Sequence, residues 1–257
     1  MSKKPIKDLS EIDPRVLWYV IGYIATDGSL SKDGRHTLIT SKDEEHLIAM
    51  REELGVTSKI IKKSNGSSIK KKYSVLAIGS VSFYRFLNSI GLFTRKTWSM
   101  GPLNIKHEYF DDFLRGVIDG DGCIYSWRHL SNNCTQWSLR ISGAAPDFLY
   151  WLHKTIEKHY QVQGKMHITE RPDARYMPVY IIKFGKIAAQ KILNTCYYKD
   201  SFCLPRKLAT VKACLQDRSK MLNYGGVLCS GAVIGSQYRL KIDCRKTCGF
   251  DSHPEHL

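Results

Sequence analysis

The amino-acid sequence predicts an α+β fold made of two similar αββαββα repeats. The stretch LWYVIGYIATDG at residues 17–28 has a counterpart in DDFLRGVIDGDG at residues 111–122. The residues that follow each copy also recur in the same order, which indicates an internal duplication rather than one isolated motif. With 257 residues, the chain is long enough for two units of about 120 residues each.

The two copies agree at particular positions. The matched pairs within the motif are Gly22 and Gly116, Ile24 and Ile118, Asp27 and Asp121, and Gly28 and Gly122. The matched segments downstream are 39–41 and 141–143, Gly79 and Gly185, and 94–96 and 205–207. The spacing between matched positions grows in the second copy, as expected where loops lengthen.

The elements of the first repeat follow from local patterns. Asp13-Pro14 is typical of a helix start, and apolar residues then recur at helical spacing up to the motif. Turn residues indicate two hairpins, and apolar periodicity indicates two further helices. The predicted order is a hairpin over 29–41, a helix over 43–55, a hairpin over 58–79 turning at Asn65-Gly66, and a helix over 81–91.

The second repeat reads in the same way. After the motif come a hairpin over 123–143, a helix over 146–160, a hairpin over 164–184 turning near Pro172-Asp173, and a helix over 186–197, with a last helix over 205–222. We therefore place one repeat at 1–97, a linker at 98–108, the second repeat with its terminal helix at 109–224, and an irregular tail at 225–257.

The charge balance favours a polyanionic partner. Lysine and arginine number 39 against 24 acidic residues, a net charge of +15. No apolar run is long enough for a membrane span, and the N-terminus does not resemble a secretory signal, so we expect an intracellular protein, in the cytoplasm, nucleoid or an organelle matrix. The eight cysteines are scattered singly, as in reduced thiols, and the CxxC pairs usual in zinc sites are missing.

The motif helices suggest where chemistry occurs. Glycine in a helix costs about 1 kcal/mol relative to alanine, so Gly22 and Gly116 make sense where two helix backbones pack closely. Such packing would bring Asp27 and Asp121 together at the helix ends, where two carboxylates need a hard divalent cation such as Mg²⁺. The first copy has Ala25 where the second has Asp119, so we expect Asp119 to be no metal ligand.

The two motif segments resemble the two signature motifs of a single-chain LAGLIDADG homing endonuclease; they are VIGYIATDG at 20–28 and LRGVIDGDG at 114–122. The resemblance extends over about residues 14–222. It implies a monomer shaped as a pseudo-symmetric saddle, with antiparallel sheets in the DNA major groove and the last aspartate of each motif on a metal. The implied cofactor is Mg²⁺ or Mn²⁺, with Ca²⁺ as a substitute that does not support cleavage.

Carried over residue by residue, the resemblance implies a set of site residues. Asp27 and Asp121 would be metal ligands, joined by the backbone carbonyls of Thr26 and Gly120. Lys96 and Lys207 would be the basic residues near the central phosphates. The strand position that often holds a polar side chain is Ser41 in one half and Gly143 in the other, a departure that leaves water positioning in the second half open.

Polar, basic and aromatic residues on the predicted strands form a candidate DNA-facing surface, because a two-stranded ribbon fits the major groove. In the first half the candidates are Ser31, Lys32, Arg35, Thr37, Lys59, Lys62, Lys63, Lys70, Lys71 and Lys72. In the second they are Tyr125, Trp127, Arg128, Gln136, Ser138, Arg140, His167, Thr169, Arg171, Arg175 and Tyr180. The two sets differ, so we expect an asymmetric target.

These observations predict a metal-dependent, site-specific endonuclease that cleaves double-stranded DNA. Two alternatives stay open at this point. One is an intron RNA maturase of the same fold, and the other is a DNA-binding regulator without catalysis. A regulator should lose one or both motif acids, and this chain retains Asp27 and Asp121.

Overall fold

The computed structural model describes residues 6–64, 73–94, 99–130, 133–170 and 178–217. Several predicted features lie outside these ranges. They are the basic residues Lys70, Lys71, Lys72, Lys96, Arg171 and Arg175, the turns at 65–66, 131–132 and 172–173, and the tail at 225–257.

The first repeat has the predicted element order. It consists of helix α1 (Pro14–Asp27), strands β1 (Gly28–Leu30) and β2 (His36–Ser41), helix α2 (Glu44–Glu53), strands β3 (Ile61–Lys63) and β4 (Tyr73–Gly79), and helix α3 (Val81–Ser89). Helix α1 begins as the sequence indicates, because the Asp13 side chain accepts a hydrogen bond of 2.8 Å from the backbone N–H of Arg15 and Pro14 occupies the first turn.

The second repeat follows the same plan. It consists of helix α4 (Phe110–Asp121), strands β5 (Gly122–Arg128) and β6 (Thr135–Gly143), helix α5 (Pro146–Tyr160), strands β7 (Lys165–Thr169) and β8 (Val179–Gly185), and helix α6 (Lys186–Cys196). Helix α7 (Pro205–Gln216) comes last. Short 3-10 turns at Leu9–Glu11 and His107–Tyr109, which the sequence reading omitted, precede the two motif helices.

Each repeat forms its own four-stranded antiparallel sheet, and the registers of the two sheets are equivalent. The strand orders are β1-β2-β4-β3 and β5-β6-β8-β7. Gly28 is opposite Ile39 and Gly122 is opposite Ile141, while Gly79 and Gly185 close the next ladder against His36 and Ser138. The sequence duplication is therefore also a duplication of strand pairing, and the predicted fold class is confirmed.

Helices α1 and α4 pack against each other through their motif glycines. A Cβ atom at Gly22 would lie 2.0 Å from the carbonyl oxygen of Phe113, and one at Gly116 would lie 2.0 Å from that of Tyr19. Phe113 and Tyr19 are equivalent positions of the two repeats, so the contact is a pseudo-twofold one. Glycine is required here because the backbones approach too closely for any side chain.

The core is continuous through both repeats. The inner faces of the two sheets and the two motif helices contribute fully buried residues such as Ile21, Ile39, Leu114, Leu139 and Ile182. Among the described residues, no helix has both the length and the apolar character needed to cross a membrane.

Candidate active site and nucleic-acid interface

The two motif aspartates lie at equivalent ends of the packed helices. Asp27 is the last residue of α1 and Asp121 is the last residue of α4, and both side chains are half-buried. Each helix ends with the N–H of the next residue, Gly28 or Gly122, donating to the carbonyl four residues back. Both glycines are extended, so the chain continues directly into the first strand of its sheet.

The end of one motif helix contacts the end of the other. A Cβ at Gly120 would lie 2.0 Å from Thr26 Oγ1 and 3.4 Å from the Asp27 carboxylate oxygen Oδ2. The backbone beside Asp121 therefore adjoins the carboxylate of Asp27. A cavity of about 70 Å³, lined by Thr26, Asp121 and Ser142 among others, opens beside this contact and has room for water.

Asp119, which corresponds to Ala25 of the first repeat, has a different environment from Asp121. Its carboxylate is fully buried and accepts hydrogen bonds from the Tyr19 hydroxyl at 2.8 Å, the Tyr197 hydroxyl at 2.6 Å and the backbone N–H of Leu204 at 2.7 Å. Burial raises the pKa of Asp119, and these hydrogen bonds oppose the rise. The residue joins α1, α4 and the start of α7.

Tyr19 extends this buried network to His46 of α2. The Tyr19 hydroxyl lies 2.7 Å from His46 Nε2, and since it donates to Asp119, the histidine supplies the proton of this second bond. Burial lowers the pKa of His46 to about 4, so the imidazole is neutral at neutral pH.

Lys207, predicted to be a basic residue near the central phosphates, lies against the end of the motif helix α4, where its ammonium group contacts carbonyl oxygens. The side chain is buried, and Nζ donates to the carbonyl of Ile118 at 3.2 Å and to the carbonyl of Gly122. A cation at the C-terminal end of a helix is stabilised by the helix dipole and by the exposed carbonyl groups. Lys207 thus anchors the end of α4 beside Asp121.

The strand position that differs between the repeats has two distinct environments. Ser41 is buried, lies 3.0 Å from the Tyr23 hydroxyl and accepts a hydrogen bond of 3.1 Å from the N–H of Asp43. Burial first, and then the charge of Asp27, raise the pKa of Tyr23. Gly143 instead lines the cavity beside Asp121.

The first sheet corrects two of the DNA-facing predictions. Thr37 is 1% exposed and shares the inner face of β2 with Ile39, so its side chain cannot reach a ligand on the outer face. Lys62 lies opposite the buried Ser74 and forms an ion pair with Glu44 of α2, on the helix-covered side. The candidates that remain exposed or half-buried are Ser31, Lys32, Arg35, Lys59 and Lys63.

The second sheet agrees better with the predictions. Strand registers place one set of side chains on its outer face, and the predicted members are Tyr125, Trp127, Gln136, Ser138, Arg140, His167 and Thr169. Ser138 is on this face but fully buried, because Arg140 and Tyr125 lie beside it, so a direct DNA contact by Ser138 is excluded.

Two predicted residues of this half have the opposite register. Tyr180 alternates with the buried Ile182 and packs against Tyr150 of α5 with ring centroids 6.1 Å apart, so it belongs to the helix-covered face. Arg128 is exposed at the hairpin end but shares the parity of Ile124, which packs on the core. Neither residue lies on the outer face.

Sequence reasoning also missed several residues. Lys165 and Lys183 are on the outer face of the second sheet, and His36 and Thr40 are on that of the first. Period-two alternation with the buried Ile182 and Phe184 would have identified Lys183. No periodic signal predicts the ion pair of Arg206 with Asp43, in which Nε and Nη2 each lie 3.0 Å from Oδ2 and which joins the two repeats.

The described residues contain no group of three or more histidine, cysteine or acidic side chains suited to a metal ion. The cysteines of the described residues form no disulfide; they are Cys123, Cys134, Cys196, Cys203 and Cys214. A divalent ion at the motif-helix ends would therefore have two carboxylates and nearby backbone oxygens as protein donors. Such a donor set suits Mg²⁺, which commonly takes one or two carboxylates together with substrate phosphates and water.

A family model described as a LAGLIDADG-like domain matches residues 15–91. The homing endonuclease I-WcaI bound to its DNA recognition sequence aligns with a TM-score of 0.54 at 11% identity, covering 78% of this chain and 87% of that chain. Full-length DUF199/WhiA from Thermotoga maritima aligns with a TM-score of 0.50 at 16% identity, covering 80% of this chain and 61% of that chain, so this chain spans less than two thirds of its length.

The homing endonuclease I-DmoI in complex with DNA and Ca aligns with a TM-score of 0.49 at 19% identity, covering 77% of this chain and 97% of that chain. The search of curated proteins found no match. At the identities of I-WcaI and WhiA, the similarity establishes the fold.

Proposed function

We propose that this chain, whose residues 15–91 match a LAGLIDADG-like domain and whose two repeats form equivalent sheets, is a metal-dependent, site-specific endonuclease for double-stranded DNA. The observation that carries this proposal is the contact between the motif-helix ends. Gly120 adjoins the Asp27 carboxylate, and Asp121 follows at once, so two acidic groups border one region between the repeats.

Asp27 and Asp121 would hold the divalent ions, with the backbone carbonyls of Thr26 and Gly120 as additional donors. When bound, such ions stabilise the charge that develops on the phosphate during hydrolysis. The protein's own contribution is to fix the two carboxylates on rigid helices whose spacing is set by the Gly22 and Gly116 contacts. The few protein donors favour ions that bind together with DNA, whose phosphate oxygens complete the coordination.

The surface beyond the acids supports a DNA substrate. Outer-face side chains of the second sheet include Gln136, Arg140 and His167, residue types that donate hydrogen bonds to bases or phosphates. The outer face of the first sheet carries a different set, His36, Leu38, Thr40, Ala77 and Lys63. An asymmetric recognition site follows from this difference.

The proposal is tested by cleavage of a randomised double-stranded DNA library with Mg²⁺, followed by sequencing of the ends. Asp27→Asn and Asp121→Asn should each abolish double-strand cleavage while leaving DNA affinity largely intact. Asp147→Asn, an exposed change in the first turn of α5, is a matched control and should cleave like the parent protein.

Each outcome distinguishes a function. Full cleavage by either motif variant would refute the assignment of the two acids. Sequence-specific binding by the parent protein without any cleavage would favour a DNA-binding regulator. Selective binding of intron RNA in place of duplex DNA would favour a maturase.

A further inference from the structure

Three basic side chains form a row across the outer face of the second sheet. Arg140 of β6 is directly opposite Lys183 of β8, and Lys183 is directly opposite Lys165 of β7. We call these three residues the cationic rung. Neighbouring strands are about 4.8 Å apart, so the rung places three positive charges within roughly 10 Å.

The cationic rung lacks a counter-ion within the described protein. Strands β5 to β8 contain no aspartate or glutamate, and no ion pair of Arg140, Lys165 or Lys183 occurs among the described residues. Like charges directly opposite each other on a sheet are destabilising. Partial burial, and then the charges of Arg140 and Lys165, lower the pKa of Lys183, which is consistent with this repulsion.

Aromatic side chains hold the rung in place. Tyr125 and Trp127 stack with ring centroids 5.8 Å apart and an interplanar angle of 18°. The Arg140 guanidinium lies 4.9 Å from the Tyr125 ring centroid, and the Lys183 ammonium lies 5.7 Å from that of Trp127. Cation–π contacts of this kind limit the motion of the charged groups and leave their N–H donors available to a ligand.

The fold itself does not require the cations. At the equivalent register of the first sheet, Leu38 of β2 is opposite Ala77 of β4. Leu38 corresponds to Arg140 and Ala77 corresponds to Lys183, because the two repeats share the same ladder positions. The same backbone therefore forms with a neutral pair, and the charges in the second repeat call for a reason other than folding.

Resting on the proposed function, we infer that Lys165 and Lys183 form a phosphate-binding site for the backbone of the target DNA, next to a base-reading Arg140. Arg140 Nε donates to Ser138 Oγ at 3.3 Å, so its two terminal NH₂ groups remain as a fork for a base edge. Ser138 and Tyr125 act as positioning residues for this fork. The first sheet has Leu38 and Ala77 at the positions of Arg140 and Lys183, so this pair of contacts belongs to the second repeat.

The test is a titration of duplex DNA over several salt concentrations with Lys183→Ala, which introduces the residue of the first repeat. Loss of one phosphate contact should reduce the magnitude of the log–log salt slope by about 0.9. Affinity for target and random DNA should fall by the same factor, because phosphates carry no sequence information. The matched control is Lys62→Ala, whose ammonium is already paired with Glu44 and whose loss should leave the slope nearly unchanged.

A second readout separates this inference from nuclease activity. Inorganic phosphate should raise the melting temperature of the parent protein more than that of Lys183→Ala, while Lys183→Ala alone should melt no lower than the parent because charge repulsion is relieved. An unchanged salt slope and an unchanged phosphate effect in Lys183→Ala would refute the site even if the protein cleaves DNA. Normal phosphate binding in a protein with no nuclease activity would refute only the proposed function.

The two variants also separate positioning from reading. Lys183→Ala should keep the sequence preference, whereas Arg140→Leu, again the residue of the first repeat, should relax it at one base pair. A change of preference in Lys183→Ala, or weaker binding of RNA with unchanged binding of duplex DNA, would overturn the assignment.

Discussion

The contact between the motif helices allows a quantitative test of the fold. In Gly22→Ala, the new Cβ would lie 2.0 Å from the Phe113 carbonyl oxygen, which is about 1.4 Å closer than ordinary contact, and 2.9 Å from the carbonyl carbon. The obstructing atoms are backbone, so no rotamer change relieves the clash. The helices must separate, and a gap of 0.5–1 Å already removes about a quarter to a half of each dispersion contact along the interface.

We expect Gly22→Ala to destabilise the protein by about 3 kcal/mol, at the upper end of the usual range for overpacking, even though alanine improves helix propensity by about 1 kcal/mol. For a chain of this size the melting temperature should fall by roughly 6–12 °C. Gly116→Ala should behave alike because its Cβ would meet the Tyr19 carbonyl oxygen at the same distance, 2.0 Å. Differential scanning calorimetry gives the comparison.

The double variant makes the test specific. One separation of α1 and α4 accommodates both new methyl groups, so Gly22→Ala combined with Gly116→Ala should cost clearly less than the sum of the two single changes. The control is Gly185→Ala, because a Cβ at Gly185 has no neighbour within 4 Å. Single variants as stable as the parent, or strictly additive losses, would show that the two glycines do not share one close contact.

Three further predictions concern buried groups and charge. Burial lowers the pKa of His46 to about 4, so on acidification the imidazole is protonated in the unfolded chain before it is protonated in the folded protein. The free energy of unfolding should therefore fall by about 3 kcal/mol as the pH drops from 6.5 towards 4, and denaturant unfolding of His46→Gln should lack this component. Asp119→Asn leaves a buried hydrogen-bond donor unpaired, which should destabilise the protein by about 1–3 kcal/mol and so lower its melting temperature. The variant should still cleave DNA in an assay at low temperature, and loss of cleavage without loss of stability would contradict the structural role of Asp119. Neutralising residues 70–72 together should flatten the salt dependence of DNA binding equally for target and random DNA, whereas Gln136→Ala should relax preference at one base pair by about 1–3 kcal/mol; the reverse pattern in a binding titration would contradict the division between positioning and reading residues.

The duplicated motif made the architecture predictable because it constrains backbone positions directly. The glycines within the motif helices, Gly22 and Gly116, already predicted close packing of the two helices. The pairing of Gly28 with Ile39 is repeated by the pairing of Gly122 with Ile141. The boundaries of the repeats at 1–97 and 109–224 stay a prediction, as do the metal-binding roles of the two aspartates. Long-range polar contacts were beyond prediction, because no period in the sequence relates Asp43 to Arg206.

The assignment of side chains to sheet faces was less reliable than the assignment of strands. In β2, Leu38 and Ile39 are adjacent apolar residues, so alternation alone does not decide which face is buried. Only the packing of the strand against its helices puts Thr37 inside. In β8 the alternation of Tyr180, Ile182 and Phe184 already indicates one inner face, so the inward position of Tyr180 is predictable from the sequence. Face assignment thus requires the partner element as well as the strand.

The structure separates what the two repeats share from what distinguishes them. The two repeats share the strand registers and one aspartate at the end of each motif helix, and their motif helices pack as a pair. A symmetric reaction on two DNA strands would need all of these features. The outer sheet faces differ, because the second repeat has Arg140 and Lys183 where the first has Leu38 and Ala77. The shared features depend on close backbone packing, whereas the distinct ones are solvent-facing side chains. In the proposed endonuclease, surface substitutions would therefore change the target preference and leave Asp27 and Asp121 in place.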